Sequence, residues 1–518
     1  MLRNIVVIFA LMAMLNTQTF AQNTGKIRCY DKDCVTEILN KLISPDQTVA
    51  DDARTTLDEM AMEVLNYRDS RMAEYMMDAI ILFAFNNDDN SNNAYIISIL
   101  SKCCTAKDAR VIMKMTENEK LADYAIRAVG DIDGAGDVIR NYILNHHDDV
   151  KYKAALAYAV GKHGIKDMEN ELISWLKGAD DKTKIEIYNA LLVIRSNEKT
   201  TKIIAKGAKK LNKSKIVENK IAGMRLLVAL NGEQALPALY DALKNENRTV
   251  RVEALNLMKP FVNQDVVDNV VKRCNNDAVK IDVVNWLGDI KNDSQMTLVI
   301  SQLSSADPEA VSSAIRAIYK IDNADGLNAV KPMFGGDYQD VIQESLLSYE
   351  GNYREALDDI LRRGDDAKRL AALKILELRP SIVFNSRVKE LVYSIDPDVK
   401  DLAFKVLPMV VMPANAEFLK SLLEMCDHIY VESVQIAIKN AMCKVPDNIK
   451  DNFVLSLKYV KPDVRPRYYK VFAYFGTELS VDKLIEAAKT GPDAYEAKEA
   501  LQLVNNGKFA DKISEALK

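Results

Sequence analysis

Long uncharged apolar runs, proline and glycine are all scarce in this chain. Its 518 residues include 13 Pro and 19 Gly, too few for a low-complexity or disordered chain, and hydrophobic residues make up 48%. Beyond the first residues no stretch approaches the ~18 uncharged apolar residues of a membrane-spanning helix. No Cys-x-x-Cys occurs among the seven cysteines, which excludes a zinc knuckle or a thioredoxin-type motif. Gly-x-Ser-x-Gly, a phosphate-binding loop and His-Glu-x-x-His are also missing, so no reaction can be read from a motif. The formal net charge of −5 argues against general nucleic-acid binding, which relies on many phosphate-neutralising Lys and Arg.

The N-terminus reads as a targeting segment. Arg3 supplies the positive start, Ile5 to Leu15 the apolar stretch, and Thr19 and Ala21 the small residues before a cleavage site. Residues 1–21 are therefore expected to be a signal peptide cleaved before Gln22, leaving an exported, soluble protein in a periplasmic or extracellular compartment. The first cysteine, Cys29, lies past the cleavage point, which argues against a lipid anchor. Residues 22–44 form a short N-terminal segment in which Cys29 and Cys34 flank a polar loop, and a local disulfide is expected in an oxidising compartment. Cys103 and Cys104 are adjacent and awkward to join. Cys426 and Cys443 close successive helices, which puts them at opposite ends of an antiparallel hairpin, about 18 Å apart. A disulfide needs a Cα spacing of roughly 6 Å.

What the sequence has is a repeated helical phrase. Asp149-Val150-Lys151, Val250-Arg251, Asp398-Val399-Lys400 and Asp463-Val464-Arg465 each open a run of small and apolar residues at helical spacing. The phrase returns about every thirty residues, the signature of stacked helical hairpins. Each unit reads as helix A, a polar turn, helix B and a second turn. The first three openings, at Val49, Ala73 and Ala94, are more closely spaced than the rest. Ala154, Ala155, Ala254, Ala371 and Ala437 let neighbouring helices approach. Gly130, Gly161, Gly232, Gly288 and Gly476 follow helix B, where a stop is wanted. Pro237 and Pro332 are expected to bend or open their A helices, whereas Pro466 sits harmlessly in a first turn.

On these phrases and the Ala and Gly positions downstream, the chain resembles HEAT-repeat proteins of the bacterial HEAT-like class over roughly residues 45–515. The resemblance implies an all-α fold, an α-solenoid superhelix of about 14–16 HEAT-like hairpins over 45–518. It also implies a concave surface of B helices that binds a protein or peptide partner. The expected function is thus an exported, non-enzymatic binding scaffold without cofactors. The alternative, carried by family association alone, is an accessory module or enzyme of glycan processing at the bacterial cell envelope. The HEAT-like DNA alkylation-repair glycosylases are disfavoured by export and acidity.

The Asp of the phrase is expected to cap helix B and the Lys or Arg to reach an Asp or turn carbonyls of the adjacent unit. Function should then lie where the phrase is decorated or interrupted. Lys199, Lys202, Lys206, Lys209, Lys210, Lys213, Lys215 and Lys220 form the densest basic run. Lys202, Lys206, Lys209, Lys210 and Lys213 share one broad helical face, suited to an anionic glycan, a lipid headgroup or an acidic partner. Near residue 470, Tyr468, Phe472 and Phe475 fall on a core stripe, which leaves Tyr469 and Tyr474 for a binding surface. The Gly335-Gly336 break is the third place of interest. His146-His147-Asp148-Asp149 offers metal-type ligands, but consecutive side chains splay apart, and no metal site is assigned. The Asn86–Asn93 loop fails as a calcium loop, with Asn93 where Gly is needed and Ile99 where Glu is needed. Trp175 and Trp286 sit at apolar positions of their helices and read as core.

Overall fold

The structure, a computed structural model, describes residues 31–67, 70–147, 150–489, 492–504 and 507–517. Every regular element among them is an α-helix or a 3₁₀ turn. No described helix is long and apolar enough to cross a membrane. The chain divides into two compact units, the first ending at Ala242 and the second beginning at Leu243.

The first unit starts earlier than the repeat phrase does. Helix Lys32–Leu42 is capped by Asp31, whose side chain accepts from the Cys34 N–H at 2.9 Å. It packs on both Gln47–Tyr67 and Ser70–Asn86. Val35, Leu39 and Leu42 recur at helical spacing and are all buried, which makes this helix part of the stack. Val49 and Ala94 each open a B-type helix, but Ala73 falls inside Ser70–Asn86, an A helix. The regular part then pairs Gly136–Asn145 with Lys153–His163, Glu169–Trp175 with Asp181–Ile194, and Glu198–Asn212 with Val217–Asn231. Consecutive B helices lie against one another, from Ala122–Gly130 through Val217–Asn231.

The second unit opens with helix Arg248–Met258. Its further B helices are Asp277–Asp289, Pro308–Ile321, Gln339–Leu347, Asp366–Leu378, Pro397–Val410, Val431–Met442, Pro466–Phe475 and Ala494–Gln502. Each contacts the next, with an A helix or 3₁₀–helix segment before it in sequence. This is the all-α, solenoid-type stacking that the phrase implies, since a single hairpin cannot bury its apolar face alone.

Three of the glycines expected as helix stops do something else. Gly130, Gly161 and Gly288 lie within B helices, facing the next one. A Cβ on Gly161 would sit 2.9 Å from Ala190 Cα, on Gly288 2.8 Å from Ala317 Cα, and on Gly130 3.0 Å from Ala159 Cβ. These are backbone-to-backbone contacts between successive repeats that any side chain would wedge apart. Gly232 and Gly476 do end their helices, with φ of +54° and +55°. Pro237 sits just inside the short helix Leu236–Ala242 behind a 3₁₀ turn, and Pro332 lies in the 3₁₀ turn that closes Ala324–Val330 rather than at a helix start.

The caps also need correcting. In Asp396-Pro397-Asp398-Val399 the N-cap is Asp396, which accepts from the Val399 N–H at 2.9 Å, while Asp398 lies in the first turn. Pro397 at the first helical position fixes that register. Asp180, Asn247, Asn276, Asp307 and Asp365 cap other B helices in the same way. Asp463 belongs to a 3₁₀ turn and makes no cap, and Asp149 lies outside the described residues.

The basic residues of the phrase do reach across. Lys151 pairs with Glu119 at 3.1 Å and Lys400 with Asp427 at 2.8 Å. Arg251 pairs with the buried Asp282 at 2.7 Å. Arg465 instead donates to the Val460 carbonyl of its own turn, and Arg467 reaches the Leu423 and Cys426 carbonyls of the neighbouring repeat.

Cys34 is disulfide-bonded, and its expected partner Cys29 lies outside the described residues, as does the segment 1–21. Cys103, Cys104, Cys274, Cys426 and Cys443 are free thiols.

Candidate functional site

Helix Glu198–Asn212 places the lysines. Asn197 caps it by accepting from the Thr200 N–H at 3.0 Å, and Thr200, Ile204, Gly207, Ala208 and Leu211 form its buried face. At 100° per residue, Lys202, Lys206, Lys209 and Lys213 fall within a sector of about 60° directly opposite that face. Lys199 and Lys210 flank them. All six are exposed. The helix is held tightly from behind. A Cβ on Gly207 would run into the Tyr188 ring, and one on Gly223 would lie 2.3 Å from the Asn212 nitrogen. Lys202 pairs with Glu198 at 2.8 Å within the same helix. Among the described residues no carboxylate lies within ion-pair distance of Lys199, Lys206, Lys209, Lys210 or Lys213. A shallow depression of about 530 Å³ lies over the first turns, lined by Glu198, Lys199, Lys202, Ile203 and Lys206. The structure therefore brings four of the five predicted lysines into one narrow, outward row, with Lys210 beside it.

The aromatic expectation divides. Tyr468, Phe472 and Phe475 are core, as their stripe implies. Tyr469 is buried as well, which removes it from any surface. Its hydroxyl lies 3.1 Å from Asp493 Oδ2, and burial followed by that hydrogen bond raises its pKa. The reason is that helix Pro466–Phe475 is covered by the preceding and following B helices and by A helices, so its buried face is wider than one stripe. Tyr474 is half-buried, with Lys439 Nζ 4.9 Å from its ring centroid.

The other sequence candidates are structural. Gly335 has φ +75° and packs on the backbone of Ala367, where a Cβ would meet the carbonyl at 2.9 Å. Asn93 is buried and donates to the carbonyls of Asn87 and Asp88, which closes its loop. Asp88 in turn accepts from Asn118 and Lys120, and these bonds hold its pKa below the usual range. His146 stacks on Tyr142, and His147 lies 3.5 Å from Glu171. Asp148 and Asp149 fall outside the described residues. Among the described residues no three His, Cys, Asp or Glu side chains converge as metal ligands. Trp175 and Trp286 are buried.

Two features of the second unit were not singled out from the sequence. The first is a cavity of about 800 Å³ where the C-terminal ends of Asp277–Asp289, Pro308–Ile321 and Gln339–Leu347 meet. Its charges answer one another: Lys320 and Lys259 both bind Asp289, Arg316 reaches Glu344, and the Tyr349 hydroxyl donates to Asp322. Burial alone would raise the pKa of Asp289, but the two lysines hold it below the usual carboxylate range.

The second feature is a series of apolar corners. Tyr393 and Ile395 project from one A-to-B turn, Met425 and Ile429 from the next, Tyr459 from the third and Tyr495 from the start of the fourth B helix. Ile395 is fully exposed. The equivalent turns at 272–276 and 304–307 expose no large apolar side chain. Polar turns are the rule between helices, so a short sequence window containing Ile395 or Ile429 was a legible signal.

No protein-family model matches the chain, and no curated protein matches it in sequence. Solved structures align with the chain along most of its length. Kap95p, in a structure concerned with its binding of RanGDP, is 11% identical over 94% of this chain and 79% of its own, with a TM-score of 0.42. Kap121p is 12% identical with a TM-score of 0.43 over 94% of this chain, which spans only 54% of that protein. Kap95 in its complex with Nup1 is 12% identical with a TM-score of 0.39, covering 94% of this chain and 84% of that one. By its own helix pairs and B-on-B stacking, the chain is an all-α protein of stacked helical-hairpin repeats, the architecture that the resemblance to HEAT-repeat proteins implies.

Proposed function

We propose that the chain is an exported, non-enzymatic scaffold that binds a protein partner along the apolar corners of its second unit. The supporting observation is the run of exposed Tyr393, Ile395, Met425, Ile429 and Tyr459 on three successive turns. Tyr, Met and aliphatic groups gathered on a surface otherwise rich in charge mark contact sites, because their transfer out of water drives association. The first of these turns is held by the Asp396 cap and all three join helices with buried faces, so little ordering cost accompanies binding.

The test is affinity capture from envelope extract with the wild-type chain and with an Ile395→Asp/Ile429→Asp variant, both shown folded by circular dichroism. One stoichiometric protein retained by the wild type and lost by the variant is expected. Equal capture by both would remove the corners from the reading. Export is tested separately: the mature chain recovered from culture should begin at Gln22 by mass spectrometry, and a full-length cytosolic chain would refute it.

A further inference from the structure

We infer that the lysine row on helix Glu198–Asn212 is a binding surface for a linear anionic polysaccharide, independent of the apolar corners. The row runs from Lys199 to Lys213, about 21 Å at 1.5 Å per residue. Its central members, Lys202, Lys206, Lys209 and Lys213, follow one another at axial steps of roughly 4.5–6 Å. That is a regular cationic rail comparable in step with a sugar residue of an extended chain.

Three observations select the ligand class. First, the charge is unanswered. Several lysines elsewhere pair with acids, as Lys120 with Asp88 and Asp89, Lys259 and Lys320 with Asp289, and Lys400 with Asp427. Among the described residues only Lys202 in the row has a carboxylate, Glu198, and that pair is exposed on both sides. Like charges three and four residues apart repel by about 0.2–0.5 kcal/mol each, so the row carries a repulsion that a polyanion would relieve. Second, the row has no apolar centre. Protein interfaces deplete Lys and gather aromatic and aliphatic anchors at their core, and here the exposed stripe is lysine with the single carboxylate of Glu198 at its start, and Ile203 is half-buried at its side. Third, residues 198–215 contain neither Arg nor an aromatic residue. A single-stranded nucleic acid is held by stacking on aromatic rings and by arginine, and neither is offered. Lysine is a hydrated point charge that suits a hydrated polyanion contacted through carboxylate or sulfate groups. The packing of Gly207 on Tyr188 and of Gly223 on Asn212 holds the rail in place.

The experiment titrates the full mature chain with oligogalacturonate and with dextran sulfate by calorimetry at two salt concentrations. Poly-L-glutamate and a single-stranded oligonucleotide of equal charge serve as competitors. The variants are Lys206→Glu/Lys209→Glu/Lys213→Glu and the single Lys209→Gln. The wild type is expected to bind at least one of the polysaccharides, with affinity falling as salt rises. The triple variant should lose about tenfold or more in affinity. Its melting temperature should stay level or rise, because the carboxylate introduced by Lys206→Glu would stand one turn from both Lys202 and Lys210. Lys209→Gln should lose a smaller part and guards against misfolding of the triple variant. No binding of either polysaccharide at low salt would overturn the inference. So would undiminished binding by the triple variant, or equal or tighter binding of poly-L-glutamate or the oligonucleotide.

Discussion

Removing the Asp282 carboxylate is the most informative single perturbation of the stack. Its side chain is 1% exposed and that of Arg251 is 5% exposed. Arg251 Nε donates to Asp282 Oδ2 at 2.7 Å, and its Nη1 donates to the carbonyls of Asn245 and Glu246 at 2.9 and 2.8 Å. Arg248 adds a bond to Asp282 Oδ1 at 2.9 Å, but half of its side chain faces solvent and it also reaches Glu309. In Asp282→Ala, Arg248 turns to water and Glu309. Arg251 cannot, and remains a buried cation with two carbonyl acceptors. Breaking a buried pair in this way costs about 3–5 kcal/mol. A charge-free Arg251→Met/Asp282→Leu double variant should recover most of that loss, because the desolvation of both ions is removed as well. Repeat arrays open locally, so the readout is native-state hydrogen exchange in helices Arg248–Met258 and Asp277–Asp289. Protection there should fall by about two to nearly four orders of magnitude in the single variant. A loss under about 1 kcal/mol, or a double variant as damaged as the single one, would refute the reasoning. The exposed pair Lys400–Asp427 is the control: with Asp427 68% exposed, Asp427→Ala should change little.

Three other outcomes are expected. Gly161→Val forces a side chain against the Ala190 backbone and should destabilise by about 1–3 kcal/mol or more in chemical denaturation, whereas Gly164→Ala, with open space around it but φ of +62°, should cost about 1–2 kcal/mol of backbone strain alone. Asp358 binds Arg387 through both oxygens at 2.9 and 3.2 Å, and this holds its pKa below the usual range. Its folded pKa lies under its unfolded one, so its contribution is present above about pH 4 and is lost as pH falls through the folded value. An Asp358→Asn variant should therefore narrow its stability gap to wild type on acidification below pH 4. Tyr353 donates to the Arg379 carbonyl at 3.1 Å, and burial pushes its pKa up to about 12. In ultraviolet titration of the native chain, Tyr353→Phe should remove one of the late-ionising tyrosines and leave the early ones unchanged.

Periodicity made the architecture legible, because each hairpin must show the same apolar face to its neighbours, and that face survives in sequence as Val-Lys or Val-Arg followed by Ala and Leu. Local register was less legible. The Pro after Asp396 marks the true cap, whereas Asp398, the more regular residue of the phrase, lies in the first turn. Glycine is ambiguous in one dimension: Gly161 lies inside its helix against Ala190, whereas Gly476, with φ of +55°, stands just past the end of its own. Tyr469 shows the limit of a single helical stripe, since a helix packed on several sides buries adjacent residues. The lysine row was readable because it lies opposite an ordinary apolar face. The corners lie between helices, where periodicity carries no information.

The close approaches at Gly130, Gly161 and Gly288 have a mechanical side. Where two backbones touch there is no layer of side chains to compress or re-rotamer, so those junctions resist bending and shear. Junctions filled by Leu, Ile or Phe can yield by small rotamer changes. Load applied along either unit would therefore concentrate its deflection away from the glycine contacts. Under tension the first repeats to part should be those joined through larger side chains, and the glycine-joined pairs should detach as blocks.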